Sequence, residues 1–355
     1  MSEISAQLVK KLREMTDAGM MDCKKALVEV QGDLQKAVEY LREKGLSKAA
    51  KKADRVASEG VISVKVANDF SNAVMLEINS ETDFVAKNEG FVALVKKSTE
   101  IVEQHKIADV EALNQVSVEG ASFDEYLKGQ IAKIGENIVV RRLANVSAKG
   151  KGVVNGYVHS NGRVGVIISI AYHNDKNASA LAEFARNLCM HAAAMKPQYL
   201  SYHQIDAEFI AKEKVALIAE LEKENEELAR LGKPLHKIPS YVSRNELTPE
   251  VLKKAEEDLR AELKAQGKPE NIWDKILPGQ LERFVADNTL IDQRMTLLGQ
   301  FYVMDDKKTI AQVLEAKSKE LDDTLEITEY VRFELGEGIE KQVSDFAQEV
   351  MAQIQ

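Results

Sequence analysis

The sequence predicts an α+β fold: an N-terminal three-helix module, two copies of a small α/β unit with antiparallel strands, an antiparallel helical hairpin inserted in the second copy, and a C-terminal helix. Three observations predict it. Apolar residues recur three and four apart in the first segment, the mark of packed helices. Alternating apolar residues then appear twice, each time in the order strand, strand, helix. Finally, the second helix and its expected third strand are separated by a long stretch whose periodicity is helical.

In the first segment, Leu8, Leu12 and Met15 share a helical face, and Asp17-Ala18-Gly19 breaks that helix. Asp22 is placed to cap a second helix over residues 23–30. After Gly32-Asp33, the stripe Leu34, Val38 and Leu41 marks a third helix, with Gly45 as its expected stop. Residues 47–54 are rich in Ala and Lys and read as a connecting helix or linker.

The period then changes. Val61, Ile62, Val64 and Val66 predict a strand. Val74, Leu76 and Ile78 alternate with Met75, Glu77 and Asn79 in a second. A loop at residues 80–83 enters a helix through Phe91, Leu94, Val95 and Val102. Ile131 and Ile134 fall in a further helix, and Ile138, Val139, Val140 and Leu143 in a third strand. The second copy begins with a strand at residues 153–159, a turn at Asn161-Gly162, and a strand through Val164, Val166, Ile168 and Ile170. A helix at residues 179–195 turns Leu181, Phe184, Ala185 and Leu188 inward. The third strand comes much later, at residues 327–335. In the insertion, Ile210, Leu217, Leu221 and Leu228 form one stripe and Leu252, Ala255, Leu259 and Leu263 a returning one. Gly232-Lys233-Pro234 and Pro239-Ser240 lie between them, so the two stripes are expected to face each other as an antiparallel hairpin, either an interaction arm or a packed excursion. The chain thus divides into residues 1–54, 55–147, 148–204 with 288–338, 205–287, and 339–355.

Composition narrows the function. The chain has 355 residues, 45% hydrophobic and 30% charged, enough for about two or three packed domains. A net charge of −9 and 6% aromatics argue against a broad nucleic-acid footprint. No apolar run approaches the length of a membrane span, and the start of the chain lacks a secretory signal, so a cytoplasmic protein is expected. The two cysteines, Cys23 and Cys189, exclude a disulfide framework and are expected to pack as small apolar residues. The basic runs Lys48, Lys51, Lys52, Arg55 and Arg141-Arg142 read as a solvated linker and a strand edge.

Signs of covalent chemistry are missing. There is no phosphate-binding loop of the Gly-x-x-x-x-Gly-Lys type, no Cys-x-x-Cys and no His-Glu-x-x-His. Gly150-Lys151-Gly152 and Gly336-Glu337-Gly338 have the wrong spacing for a dinucleotide fingerprint and read as turns. His191, amid Ala192, Ala193 and Ala194, reads as a partly buried structural histidine. Neither a cofactor nor a metal site is expected, and the chain is not expected to be an enzyme.

Two stretches carry a resemblance. Leu12-Arg13-Glu14-Met15-Thr16-Asp17-Ala18-Gly19-Met20-Met21-Asp22-Cys23-Lys24-Lys25-Ala26-Leu27 and Glu77-Ile78-Asn79-Ser80-Glu81-Thr82-Asp83-Phe84-Val85-Ala86-Lys87-Asn88 resemble the two signatures of the translation elongation factor Ts family. Supporting matches are Ile134-Gly135-Glu136-Asn137-Ile138, Arg141-Arg142, Met190-His191-Ala192-Ala193 through Lys196-Pro197, Leu298-Gly299-Gln300, Val303-Met304 and Arg332-Phe333-Glu334-Leu335-Gly336-Glu337-Gly338-Ile339-Glu340-Lys341. At Phe301 the sequence departs from the family, which often has proline there.

The resemblance implies a ubiquitin-associated-like (UBA-like) first module, two core subdomains and a coiled-coil arm. It implies guanine-nucleotide exchange on GDP-bound elongation factor Tu. Thr82, Asp83, Phe84 and Val85 would enter the GTPase and dislodge its magnesium ion, and Arg13, Met20, Met21, Lys24, His191, Val303 and Met304 would touch the same partner. The C-terminal helix would add a contact. The residues themselves place Phe84 in a core at a helix entry, because large apolar side chains are usually inward; the resemblance implies the opposite. An adaptor or chaperone-like scaffold that binds a GTPase without exchange shares every compositional feature. The hairpin leaves two arrangements open, contact with the partner or pairing of two copies into a homodimer or a 2:2 complex.

Overall fold

A computed structural model of the chain describes residues 4–16, 18–159 and 161–340. The C-terminal helix expected over residues 339–355 falls outside them from residue 341 onward. The described residues divide into two compact units. One lies within Met1–Ser169, Ala180–Cys189 and Val331–Gln355; the other comprises Ile170–Ser179 and Met190–Tyr330. No helix among the described residues is long and apolar enough to cross a membrane.

The first unit opens with α1 (Ala6–Thr16), α2 (Met20–Glu29) and α3 (Leu34–Ala50). Their core is Val9, Leu12, Cys23, Ala26, Leu27 and Ala37, while Met15 is exposed and not on the inward face. Gly19 is the N-cap of α2, and Asp22 sits inside the first turn, where its charge favours the helix dipole. Asp33 caps α3 by accepting from the Lys36 N–H at 3.1 Å. Gly45 does not end α3. It is buried in mid-helix, where an added Cβ would lie 3.6 Å from that of Ala132. The glycine therefore permits close approach of α3 to α6 (Phe123–Ile134). Beyond it, Ala49 is buried in the main core. The basic run after it is not simply solvated: Lys48 pairs with Asp22 at 3.2 Å, Arg55 with Glu81 at 3.4 Å, and Lys52 donates to the Gly135 carbonyl.

The strands β1 (Glu59–Val66), β2 (Asn72–Ser80) and β5 (Ile138–Ser147) form an antiparallel sheet in the order β1-β2-β5. Between β2 and β5 run α4 (Glu89–His105), α5 (Val110–Gln115), the short hairpin β3 (Ser117–Val118) and β4 (Ala121–Ser122), and α6. Successive strand residues face opposite sides, and here both sides are covered. Val74, Leu76 and Ile78 meet Phe91, Leu94 and Val102 of α4 and Phe123 of α6. On the other side, Ala73 and Met75 meet Val154, Ile167, Phe333 and Leu335.

The second copy repeats the plan. β6 (Gly152–Val158), β7 (Val164–Ala171) and β10 (Glu326–Glu334) form a sheet in the order β10-β7-β6, and α7 (Ala178–Met195) follows β7. In both copies the second strand is central and the third returns beside it, which is what a duplicated unit requires.

Glu77 lies on the covered side of β2 with no exposed surface. The ladder pairs Glu77 with Arg142 and Ile78 with Val140, leaving Arg141 as the extra residue of a β-bulge. In a regular strand two consecutive arginines would face opposite ways; the bulge turns both toward one carboxylate. Arg141 Nη1 lies 2.9 Å and Arg142 Nε 2.6 Å from it, and the Gly336 N–H donates at 2.8 Å. Burial pushes the Glu77 pKa up, but these three donors outweigh it and hold the carboxyl below its ordinary value. The arginines expected at a solvated strand edge are thus part of a buried ionic centre.

The second unit contains α8 (Ala207–Arg230), α9 (Pro249–Ala265), α10 (Trp273–Asp287), α11 (Leu290–Met295), the hairpin β8 (Phe301–Tyr302) and β9 (Asp305–Thr309), and α12 (Ile310–Leu321). An inserted helical hairpin is present, but its arms are α9 and α10. Leu263 packs on Trp273 and Leu277, whereas Ile210, Leu217 and Leu221 of α8 pack on Val242 and Ile291. Pro278 and Gly279 hide α10 from sequence reading, because proline removes a backbone donor from a helix interior.

Replacing Glu77 by Gln removes the buried carboxylate shared by two guanidinium groups, leaving Arg142 with the exposed carboxylate of Glu337 at 3.1 Å, and should cost about 3–5 kcal/mol in urea unfolding. Because the folded pKa is depressed, the stability contributed by ionised Glu77 is complete above its ordinary value of 4.5 and is lost as pH falls below it. Glu77→Gln should remove that acid-side loss. An undiminished stability in Glu77→Gln at pH 7 would show that the ionic centre is not needed. Trp273 is the only tryptophan of the chain, so its fluorescence reports the α9–α10 hairpin alone. Its small, separate cluster should melt first, and the emission should shift at lower denaturant than the far-ultraviolet circular dichroism. Coincident curves would mean that the hairpin unfolds together with the rest.

Candidate functional site

Phe84 is the most exposed large apolar side chain among the described residues, at 80% of its maximal surface. It lies in the turn between β2 and α4, and the backbone on either side is tied down. Thr82 donates its N–H to Glu136 Oε2 at 3.0 Å and its hydroxyl to Glu136 Oε1 at 2.6 Å. The Ser80 hydroxyl donates to the Thr82 carbonyl at 3.0 Å. After Phe84 the chain makes one 3₁₀ turn, Val85–Lys87, and Asn88 caps α4 by accepting from the Gly90 N–H at 2.9 Å. Val85 is half-buried and packs on the main core. Asp83 is exposed and pairs with Lys87 at 3.2 Å. The sequence signals for this loop, a cap at Asn88 and a turn at residues 80–83, give its ends; nothing in them says that Phe84 points outward.

In the same unit, α2 presents Met20, Met21, Lys24 and Val28 to solvent, with Arg13 and Met15 exposed on α1. The spacing from Met21 to Lys24 to Val28 places them on one stripe of the helix. Methionines here form an adaptable apolar surface around a cation.

In the second unit, Val303 and Met304 form the exposed tip of the β8–β9 hairpin. His191 has no exposed surface and lies beneath this tip. The Val303 N–H donates to His191 Nδ1 at 3.3 Å, which leaves the proton on Nε2 to donate to Gln300 Oε1 at 3.1 Å. Gln300 in turn donates to the carbonyls of Met195 and Arg294, at 3.1 and 3.2 Å. Burial holds the His191 pKa below its ordinary 6.5, against the smaller opposing effect of Gln300. The histidine is therefore neutral and fixes the tip. Phe301 is exposed beside a β-bulge at the start of the same hairpin.

A family model described as Elongation factor TS matches residues 81–238 and 235–337, and so includes both the Phe84 loop and the Val303-Met304 tip. The chain is 73% identical to elongation factor Ts of Wolinella succinogenes, 70% to that of Helicobacter hepaticus and 65% to that of Helicobacter pylori, with all of each chain covered. The chain belongs to the elongation factor Ts family. It is accordingly a bacterial translation elongation factor acting in protein biosynthesis.

The residues singled out from the sequence fall into three groups. Thr82, Asp83, Phe84 and Val85 form the tip of one loop, and Arg13, Met20, Met21 and Lys24 the exposed side of α1 and α2. Val303 and Met304 form a hairpin tip, with His191 beneath it. Sequence reasoning missed Glu136 and Gln300 as the groups that hold two of these tips. Both stood inside quoted motifs, but a carboxylate and an amide distant in sequence carry no local sign of what they anchor.

Because the folded pKa of His191 lies below the unfolded value, folding disfavours its protonation, and stability should fall as pH drops below about 6.5. A protonated ring would also turn a second N–H toward that of Val303. The imidazole proton resonances should titrate below pH 6.5, and His191→Gln should flatten the stability profile between about pH 5 and 7. A His191 midpoint at or above 6.5 would contradict the buried neutral ring.

Proposed function

We propose that this chain is a guanine-nucleotide exchange factor that binds GDP-bound elongation factor Tu, disturbs its magnesium and nucleotide site, and releases GDP without making or breaking covalent bonds. The observation that carries this reading is the exposure of Phe84 on a loop held at both ends. A phenyl ring left in water is unspent apolar surface. Seating it in a partner is worth roughly 1.5–3 kcal/mol, and a factor of ten in an equilibrium is about 1.4 kcal/mol. One wedge therefore shifts nucleotide affinity by about one to two decades. The loop is already ordered, so little of that energy is lost in ordering it on contact.

Docking energy comes from elsewhere. The methionines and Lys24 of α2, Arg13 of α1, and the Val303-Met304 tip are the candidate contacts, with His191 holding the tip. Asp83 sets a carboxylate beside Phe84, where a negative charge competes for a cation in the partner's site. Linkage makes the effect reciprocal: a factor that weakens GDP binding is itself weakened by GDP by the same ratio.

Phe84→Ala should slow GDP release at saturating factor by about ten- to a hundredfold. Its own stability should change by less than about 0.5 kcal/mol, since the side chain is largely exposed. The measurements are labelled-GDP release from elongation factor Tu over a range of factor concentrations and a melting curve of the free variant. A variant that melts like wild type and still exchanges at the wild-type saturated rate would remove Phe84 from the mechanism. Binding of the wild-type factor without faster release would leave an adaptor.

A further inference from the structure

We infer that Glu136 is a positioning residue for exchange, setting the aim of Phe84 through Thr82; this rests on the exchange reading above. Glu136 stands in the short joint between α6 and β5, far from Phe84 in sequence, and is not itself one of the expected contact residues. Both of its oxygens are engaged by one residue. Oε2 takes the Thr82 N–H at 3.0 Å and Oε1 the Thr82 hydroxyl at 2.6 Å. A bidentate grip by a charged acceptor fixes orientation as well as position. The hydroxyl passes the constraint on: while donating to Glu136 it lies 3.4 Å from the Val85 N–H, which it accepts. Thr82 and Val85 are thus set by one group, and Phe84 is between them.

The joint itself is tied on both sides of Glu136. Gly135 adopts the left-handed conformation that ends α6, with φ of 95°, and its carbonyl accepts from Lys52. Asn137 donates its N–H to Glu81 Oε1 at 2.6 Å and its side-chain amide to the Arg55 carbonyl at 2.8 Å. The two loops therefore grip each other reciprocally, Glu136 holding Thr82 and Glu81 holding Asn137. A helix cap or a loop tie would need only one of these pairs. Two carboxylates crossing in opposite directions lock the separation and the twist of the loops. The motif Ile134-Gly135-Glu136-Asn137-Ile138 then has a purpose that its distance from the wedge conceals.

The test is a comparison of Glu136→Gln, Phe84→Ala and the double variant, each measured for GDP release from elongation factor Tu over a full concentration range and for melting temperature. An amide presents one acceptor where the carboxylate presents two charged ones, so Glu136→Gln should lower the saturated rate by roughly tenfold or more. The half-saturating concentration should stay within about threefold, because the docking contacts are elsewhere. The double variant should be no slower than Phe84→Ala alone, because Glu136 acts through the ring. A group that merely supports the fold would instead lower the melting temperature and slow the Phe84→Ala protein further. If Glu136→Gln melts much earlier than wild type, Thr82→Val, which keeps the Thr82 N–H bond and deletes the hydroxyl's bonds to Glu136 and from Val85, takes its place in the same cycle. A wild-type saturated rate in Glu136→Gln, or effects that multiply in the double variant, would overturn the inference. Should Phe84→Ala exchange normally, Phe84 leaves the mechanism and the positioning role falls with it, whereas a wild-type factor that binds without speeding GDP release would fail the exchange reading itself; a slow Phe84→Ala beside a normal Glu136→Gln removes the positioning role alone.

Discussion

Glu77 holds an ionised carboxylate in a place where water does not reach, on the covered side of the central strand β2. Removing such a charge from water costs several kcal/mol, which only close, well-aligned donors offset. Two guanidinium groups and the Gly336 N–H provide them, and each comes from a different part of the chain from β2. The arrangement exists only because β5 carries a bulge at Arg141. Slip the β2–β5 register by one residue, and Glu77 would turn into the apolar cluster of Leu76 and Phe91. Gly336 is needed for the same reason, since a Cβ there would come within 2.7 Å of the Ser58 carbonyl. The register of β2 is thus pinned by a charge, and the loop that follows β2 inherits its position from that register.

The two exposed tips are built alike. Phe84 stands over the Thr82–Glu136 pair, and Val303 and Met304 stand over His191 and Gln300. In each case an apolar side chain in water is held by polar groups buried or half-buried behind it. A mobile apolar loop would lose entropy on docking and could fold back onto the protein; a pinned one keeps its surface for a partner. The α2 surface solves the same problem differently, with methionines whose backbone is fixed by a helix and whose side chains stay adaptable.

The insertion shows how a correct pattern can be assigned the wrong partner. Both stripes read from the sequence are real helices with apolar faces, and α8 and α9 contain them. What the pattern does not hold is which face meets which. The connection between α8 and α9 is long, and its extended part is fastened to α8 by Asn225, which grips both the N–H and the carbonyl of His236. That frees α9 to fold back with α10 through a short turn, around Trp273.

Period and punctuation alone determined the main elements of this protein, though not α10 or the short hairpins: the three opening helices, the twice-repeated strand–strand–helix–strand order, the split second copy and the helical character of the insertion. These are legible because burial on one face imposes a period on neighbouring residues. The signature segments likewise marked the residues of the candidate site and the family. Tertiary structure decided which side of the surface those residues occupy. Phe84 is outward, though a local reading favours an inward phenylalanine, while His191 is inward, as its local sequence reading as a partly buried histidine has it. It also turned Arg141 and Arg142 from a presumed solvated edge into a buried centre, and Gly45 from a stop into a helix crossing. In each case the deciding partner is distant in the chain, as with Glu77 for the arginines, Ala132 for Gly45 and Glu136 for the Phe84 loop. A sequence pattern records how a residue relates to its neighbours three or four positions away, and the energy of a buried charge or a close helix contact depends on groups that only folding brings near.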